Sequence, residues 1–217
     1  MRNPWRNLNT DLTSIHPLDM ELVEEFNATA KEEYKFCKTL LPDPYIGSLK
    51  ANVLFLTLNP GLSAEDYKTH ADENFRFLYK QNLAQAKNDY PFYYLNPELD
   101  CPGSKWWRGK LRWFIEEIDE KQLAQNICCL QLMPYHSVQF KQPKHNLPTQ
   151  EYTKEIVKAF MAKNAPIVFM RSKTKWEALV SELKEYNNSF VLRNSRNPTF
   201  SPKNMGEESF HLLLKSV

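Results

Sequence analysis

The sequence predicts an α/β fold, a three-layer α/β/α sandwich around a central four-stranded parallel sheet. Four short apolar runs supply the strands, and amphipathic helical patterns separate them. Strands that alternate with helices form parallel sheets with right-handed crossovers and helices on both faces. The predicted strands are residues 52–58, 127–132, 166–170 and 190–192.

Length and composition predict one domain. The chain has 217 residues, of which 42% are hydrophobic and 25% charged, enough to bury a sizeable core. We expect one domain over 1–217 with a helical extension over about 1–40, where a helix runs from Pro17 to about Glu33. No apolar segment long enough for a membrane span or a secretion signal occurs, so we expect a cytoplasmic protein. We also expect a monomer.

The first strand ends in an abrupt turn. The apolar run 52–58 leads directly into Asn59, Pro60 and Gly61. Pro60 restricts its own φ and lacks a donor, and Gly61 permits a left-handed or close-approach conformation. Asn59 is therefore held at the carboxyl end of a buried strand, the edge where open α/β sheets bind ligands. The alternative is an ordinary strand-to-helix turn.

The segment between the first two strands combines helices with an aromatic stretch. Ser63 begins a helical region that extends to about Ala86. Residues 89–97 are rich in tyrosine and proline without a period, which predicts a long ordered loop, and such loops are more often functional than idle. Ser104 can cap the next helix.

The helix after Ser104 has two different faces. Trp107, Leu111 and Phe114 form its buried stripe, which leaves Trp106 and Trp113 on the other side. The segment 104–112 carries four basic residues and no acid. These tryptophans either stack on bases beside the cations or form a second core surface under the aromatic loop.

The second half of the chain repeats the strand-and-turn arrangement. The strand 127–132 ends in Met133, Pro134, Tyr135 and His136. Thr149 opens a helix, the strand 166–170 follows, and a helix carrying Trp176 comes next. After the strand 190–192 the chain continues into Asn197, Pro198 and Thr199, and a last helix lies near 204–216.

Several common kinds of site are excluded. Five glycines are too few and too scattered for a dinucleotide-binding or phosphate-binding glycine loop, and the nucleophile elbow and the zinc-protease helix are also absent. The four cysteines, Cys37, Cys101, Cys128 and Cys129, have neither disulfide nor metal-binding spacing. A zinc site of Cys128 or Cys129 with His136 and His145 matches no common finger. We expect no metal and no cofactor.

Two Asn-Pro turns then fall at one edge of the predicted sheet, Asn59-Pro60-Gly61 after the first strand and Asn197-Pro198-Thr199 after the last. The pair resembles the two active-site motifs of the uracil-DNA glycosylase superfamily, above all its mismatch-specific branch, in which Asn-Pro-Gly follows the first core strand and Asn-Pro-Ser the last. The resemblance covers about residues 45–205 and implies that superfamily's fold. It also implies a hydrolase of DNA repair that cleaves the N-glycosidic bond of a flipped-out base.

The resemblance implies roles for individual residues. Asn59 would orient the attacking water, Asn197 would donate to the leaving base or to a phosphate, and His136 would supply a donor at the base edge. The implied base pocket comprises Pro60, Gly61, Phe75, Phe77, Gln131 and Tyr135. The implied nucleic-acid-binding residues are Ser63, Arg108, Arg193, Arg196, Thr199, Ser201 and Lys203. From the residues alone, core packing is the more common role for Phe75 and Phe77, and a structural hydrogen bond to backbone is the more common role for His136.

Departures from the family leave the substrate open. No clear counterpart exists for the residue that separates uracil from cytosine, and Phe200 with Ser201 replaces a small residue of the mismatch-specific branch. The iron–sulfur cysteine spacing is absent. The chain therefore resembles a side branch whose substrate is not uracil in DNA. The partner we expect is DNA, single- or double-stranded, and two alternatives are an inactive nucleic-acid-binding or nucleotide-binding module and a hydrolase of free nucleosides.

Overall fold

The computed structural model describes residues 2–9 and 14–217, which form one mixed sheet and a set of helices. The strands are β1 (Tyr45–Gly47), β2 (Val53–Thr57), β3 (Ile127–Gln131), β4 (Ile167–Phe169) and β5 (Ser189–Val191). The helices are α1 (Met20–Thr29), α2 (Ala64–Ala71), α3 (Glu73–Ala84), α4 (Pro102–Ile115), α5 (Glu120–Asn126), α6 (Gln150–Ala162), α7 (Lys173–Leu179), α8 (Pro202–Met205) and α9 (Glu207–Leu214). Within these residues, no helix has the length and hydrophobicity needed to cross a membrane.

The sheet has five strands in the order β1-β3-β2-β4-β5. β2 lies at its centre and pairs in parallel with β3 and β4, and β5 pairs in parallel with β4. β1 pairs antiparallel with β3 at one edge. The predicted α/β class is confirmed, but the sheet is mixed and five-stranded, whereas we expected four parallel strands.

The additional strand, β1, has no signal of its own in the sequence. It is three residues long and lies directly after Pro42 and Pro44, in a segment whose prolines are typical of a loop. β1 forms because Tyr45 pairs with Leu130 of β3. Gly47 ends it with a φ of +99°, and a Cβ there would lie 2.5 Å from the backbone oxygen of Ile127. The strand therefore depends on a tertiary contact that a side chain at Gly47 would block.

Helices pack against both faces of the sheet. On one face, Phe55 of β2 lies 6.3 Å from the ring of Trp107 in α4 and 4.4 Å from that of Phe200. Successive strand side chains point to opposite faces, so Cys128, the register partner of Leu54 in the neighbouring strand, lies on the other face. Tyr152 of α6 interacts electrostatically with Cys128 there. The core thus consists of two apolar layers separated by the sheet.

The N-terminal segment is attached to the core through a buried carboxylate. The expected helix from Pro17 to Glu33 is a 3-10 turn at Pro17–Asp19 followed by α1. Asp19 accepts hydrogen bonds from the Tyr135 hydroxyl (2.6 Å), the Thr149 hydroxyl (2.6 Å) and the Thr149 amide (3.0 Å). These bonds connect the N-terminal segment to the loop after β3 and to the start of α6.

The helical region predicted after β2 consists of two helices, α2 and α3. α2 ends at Ala71, and the side chain of Asp72 accepts from the amide of Phe75 to cap α3. A capping aspartate competes with helix continuation because its side chain bonds the backbone of the next turn. The short helix α5 was not predicted from the sequence.

The aromatic segment 89–97 belongs to the core. Phe92, Tyr93, Tyr94 and Leu95 are all buried. The ring of Tyr93 lies 5.9 Å from Phe75 of α3, and that of Phe92 lies 4.9 Å from Trp107. The density of aromatic residues is therefore explained by packing between α3 and α4.

Substitution of two consecutive tryptophans tests which face of α4 is buried in the core. Trp107 is 3% exposed and Trp106 is 37% exposed. We expect Trp107→Ala to lower the free energy of unfolding by about 3–5 kcal/mol because it leaves a large cavity beside Phe55. Trp106→Ala, the matched control, should cost less than about 1 kcal/mol. Urea denaturation of both variants measures the difference, and equal losses would contradict this assignment of α4's faces.

Candidate functional site

The carboxyl ends of the four parallel strands lie at one edge of the sheet. Asn59 follows β2, His136 follows β3, Arg171 follows β4, and Asn197 follows β5. Because β4 lies between β2 and β5, two strand spacings, about 10 Å, separate the ends of the strands that precede the two Asn-Pro turns. The structure thus places both asparagines at the edge where such sheets bind ligands.

The side-chain amide of Asn59 has a defined orientation. Its Nδ2 donates to the carbonyl of Pro60 (2.9 Å) and to Oγ of Ser137 (2.9 Å). The Ser137 hydroxyl itself donates to the carbonyl of Gln139. Since a carbonyl can only accept, these contacts identify which end of the amide carries nitrogen. Oδ1 accepts no hydrogen bond from the described residues, so a half-buried acceptor is available beside the turn.

The backbone of the same turn offers donors. The amide of Ser137 donates to the carbonyl of Pro60 at 3.4 Å, which joins the turn to the segment after β3. Among the described residues, the amides of Gly61 and Leu62 have no acceptor. Ser63 is occupied differently, because its hydroxyl and amide both contact the Asp66 carboxylate in the capping box of α2. The donors at this end of the site are therefore backbone groups.

The imidazole of His136 holds the Asn-Pro-Gly turn through its backbone. Its Nδ1 lies 2.6 Å from the carbonyl of Gly61 and must donate, since that carbonyl can only accept. Its Nε2 is buried without a partner among the described residues. Burial lowers the pKa of His136, and burial together with His136 lowers the pKa of His70, whose ring is 4.9 Å away, to about 3. His136 thus positions Gly61 through a hydrogen bond to its carbonyl.

Asn197 presents the opposite end of its amide. Its Oδ1 accepts from Nζ of Lys110 in α4 at 2.7 Å and from the Thr199 hydroxyl at 3.4 Å. The ammonium of Lys110 can only donate, so this contact also identifies the amide nitrogen. Nδ2 donates to no acceptor within the described part of the chain. Asn59 therefore offers an acceptor and Asn197 a donor at the same sheet edge.

Five cations that contact the loop of Asn197 or belong to it have no carboxylate partner in the described residues. They are Lys110, Arg171, Arg193, Arg196 and Lys203. Burial, together with the charge of Arg171, lowers the pKa of Lys110, and burial lowers that of Arg171. Both shifts mark cations that lose hydration without gaining a negative partner. This edge of the molecule therefore suits an anionic ligand.

Three of the predicted pocket residues are buried in the fold, and a fourth is exposed on a helix. Phe75 is buried against Tyr93 and the His70 ring, and Phe77 is 58% exposed on α3. The Tyr135 hydroxyl is used by Asp19, and the buried Gln131 accepts from the Thr57 hydroxyl at 2.6 Å. Pro60 and Gly61 stay with Asn59 in the turn.

Two predicted nucleic-acid-binding residues also have structural partners. The guanidinium of Arg108 contacts the Glu120 carboxylate and donates to the carbonyl of Leu95 at 2.9 Å. Its charge is therefore neutralised at the junction of α4 and α5, away from Asn197. Ser201 is buried and its hydroxyl accepts from the amide of Asn204 to cap α8. Its role is to terminate the loop that carries Asn197.

Space at the edge is limited. Pro198 is buried, and Phe200 is fully buried between Phe55 and Phe114. A cavity of about 330 Å³ is lined by α1 and the segment 141–145. Another, of about 600 Å³, is lined by residues around Arg108. Neither includes Asn59 or Asn197. Within 2–9 and 14–217, no three metal-ligating side chains are grouped.

The most perturbed carboxyl at this edge, Asp43, was not identified from the sequence. Its amide donates to the carbonyl of Pro134 after β3 (2.7 Å), and the Tyr93 hydroxyl lies 3.3 Å from its Oδ1. Burial raises its pKa to about 7. In the sequence, Asp43 is marked by its position between Pro42 and Pro44. An acid between two prolines also fits an exposed turn. Lys110 and Arg171 were missed as site residues because only the fold brings them to Asn197.

The raised pKa of Asp43 predicts how the stability of the protein depends on pH. Its pKa is raised in the folded state, so folding takes up a proton between about pH 4 and pH 7, and stability falls as the pH rises through that range. Asp43→Asn removes this contribution. Relative to the wild type, the variant should gain up to about 4 kcal/mol between pH 4 and pH 7.

Urea denaturation at a series of pH values measures this difference. Asp100→Asn, at an exposed carboxylate paired with Lys105, is the control and should follow the wild-type profile. A constant difference between Asp43→Asn and the wild type across the range would contradict the prediction.

The comparisons with known proteins identify no relative. No family model, no curated protein and no solved structure matches the chain. The geometry of the sheet edge is therefore the basis for assigning a function.

Proposed function

We propose that the protein is a DNA base-excision glycosylase with a uracil-DNA-glycosylase-like fold, and that it hydrolyses the N-glycosidic bond of a flipped-out base. The observation that carries the proposal is the opposite orientation of two amides at one sheet edge. Asn59 has a free oxygen and Asn197 a free NH₂ group, and each orientation is determined by hydrogen bonds on the other end of the amide.

These two groups match the needs of the reaction. Breaking the glycosidic bond sends its electron pair to the base and leaves positive charge on the sugar, which a water molecule then attacks at C1′. Asn59 Oδ1 accepts a hydrogen bond from that water and directs its oxygen toward C1′. Asn59 cannot remove the proton, which passes to solvent, so the chemistry is slow compared with that of a carboxylate base.

The departing base and the sugar–phosphate backbone are held by donors. Asn197 Nδ2 is placed to donate to an oxygen of the base or of a phosphate. The unpaired amides of Gly61 and Leu62 lie on the Asn59 side, and Arg171 and Arg196 lie on the Asn197 side. Donors and cations around a developing negative charge lower the barrier, provided that they are already in position.

The substrate we propose is a base other than uracil in DNA. The structural support is that Gln131, at the end of β3, is buried and bonded to Thr57. Oε1 of Gln131 already accepts this hydrogen bond, so only its NH₂ group remains to meet a pyrimidine edge. The buried Asp43 lies near the same strand end.

A second candidate is a nucleic-acid-binding module without catalysis. The observation that favours it is the burial of Pro198 and Phe200 next to Asn197, together with the absence of Asn59 from both described cavities. A scaffold of this kind keeps the cations of the edge and binds the phosphate backbone. Its binding would weaken with salt, and no abasic site would form.

Substitution of Asn59 tests the catalytic proposal. We expect the wild type to release a base from at least one oligonucleotide containing hypoxanthine or mismatched thymine, in single- or double-stranded form, with a uracil oligonucleotide as the comparison. Asn59→Ala should reduce the rate by about 100-fold or more because the water loses its orientation. Cleavage of the abasic strand in hot alkali measures the release.

The matched control is Lys158→Ala, which removes an exposed cation of α6 that pairs with Glu182 and should leave the rate unchanged. Absence of strand cleavage with every substrate would eliminate the glycosylase proposal and favour the binding module.

Arg196 separates both DNA-binding candidates from a nucleoside hydrolase. Arg196→Ala removes a cation without a carboxylate partner in the described residues, so we expect weaker binding of DNA and a shallower salt dependence by about one phosphate contact. Binding of labelled oligonucleotides at several salt concentrations measures this slope, again with Lys158→Ala as the control. A slope equal to that of the wild type would argue against a nucleic-acid surface at this edge.

A further inference from the structure

The exposed face of α4 alternates aromatic, small and cationic side chains. Trp106, Gly109, Lys110 and Trp113 are separated by three or four residues and therefore share one face of the helix. Trp106 and Trp113 are 37% and 38% exposed, although tryptophan is usually well buried. The two indoles start about 10 Å apart along the helix axis.

Gly109 keeps the space between the two indoles open. Glycine is a poor helix former, and this one lies in the middle of a helix of 14 residues. A Cβ at Gly109 would have nothing within 4 Å. No close packing therefore requires glycine there, and its effect is to leave a gap between Trp106 and Trp113.

Cations border this gap and connect it to the site. Nζ of Lys110 lies 5.3 Å from the ring centre of Trp106 and 2.7 Å from Oδ1 of Asn197. The guanidinium of Arg112 lies 5.5 Å from the ring centre of Trp113. Neither cation has a carboxylate partner in the described residues. The face thus offers aromatic surfaces and positive charge next to Asn197.

We propose that this face of α4 binds single-stranded DNA beside the reaction site, with Trp106 and Trp113 stacking on bases and Lys110 and Arg112 contacting phosphates. Alternating aromatic and basic side chains are the means by which proteins bind unpaired strands, because every base has a face that stacks. The inference rests on the proposed function, since it places the flanking nucleotides of the same substrate.

The loop after β5 favours a single strand over a duplex. A protein that extrudes a base from a duplex commonly inserts an apolar side chain between base steps. Two apolar residues follow Asn197 directly in the sequence of this loop. Both of them, Pro198 and Phe200, are buried. The loop therefore has no exposed apolar side chain at this position to insert into a duplex. The bases of a single strand are accessible without such an insertion.

Binding measurements that do not depend on catalysis test the inference. Fluorescence anisotropy is recorded with a labelled oligothymidylate of about 12 nucleotides, with the matched duplex, and with an RNA strand of the same length. We expect the single-stranded DNA to bind at least about 10-fold more tightly than the duplex. Trp106→Ala and Trp113→Ala should each weaken its binding by about 5- to 150-fold, and Trp106→Phe should restore most of the loss.

Two further variants separate a binding role from a structural one. Gly109→Leu fills the gap and should weaken DNA binding while it raises the thermal stability of the helix, a combination that a purely structural role does not produce. Leu212→Ala, which removes a side chain 50% exposed on α9, is the control and should bind like the wild type.

The outcomes distinguish this inference from the proposed function. Asn59→Ala should lose excision and keep its affinity for the single strand. If no base is released but binding requires both tryptophans, the α4 surface is supported and the catalytic proposal fails. If the duplex or the RNA binds more tightly than single-stranded DNA, or if the tryptophan variants bind like the wild type, the inference is wrong even when excision is observed.

Discussion

The site depends on three hydrogen bonds that attach the Asn-Pro-Gly turn to the segment after β3. Nδ2 of Asn59 bonds Oγ of Ser137, the Ser137 amide bonds the carbonyl of Pro60, and Nδ1 of His136 bonds that of Gly61. Each residue of the turn is thereby held by the neighbouring strand. Without these bonds the amide of Asn59 would keep only its contact with the Pro60 carbonyl inside the turn, and the turn would lose its attachment to the neighbouring strand.

The second constraint is electrostatic. Near Asn197, Lys110, Arg171 and Arg196 have no carboxylate partner in the described part of the chain, and partial burial removes hydration from Lys110 and Arg171. Such an arrangement opposes folding, because like charges repel and desolvated cations lack compensation. A fold that keeps it is typical of a site for a phosphate-bearing ligand. The same charges serve a glycosylase and a binding module, so the reaction itself has to be decided by the two amides.

The path of α4 connects these features. Its buried face carries Trp107, which covers Phe55 of the central strand, while Lys110 on another face reaches Asn197. The amide of Phe200 also donates to the carbonyl of Lys110 at 2.9 Å, so α4 is attached to the loop that carries Asn197. A single helix therefore contributes to the core, to the site and to the proposed DNA-binding face.

The sequence by itself determined the class of fold, the four parallel strands' positions and the placement of two Asn-Pro turns at one edge. Apolar runs, helical periodicity and proline turns are local signals, and parallel strands that alternate with helices have their carboxyl ends on the same side. Only the tertiary structure decided that β1 pairs with β3, that His136 and Tyr135 face inward, and that Lys110 meets Asn197. These features depend on contacts between residues far apart in the chain, and no local pattern encodes which partner a polar side chain will find.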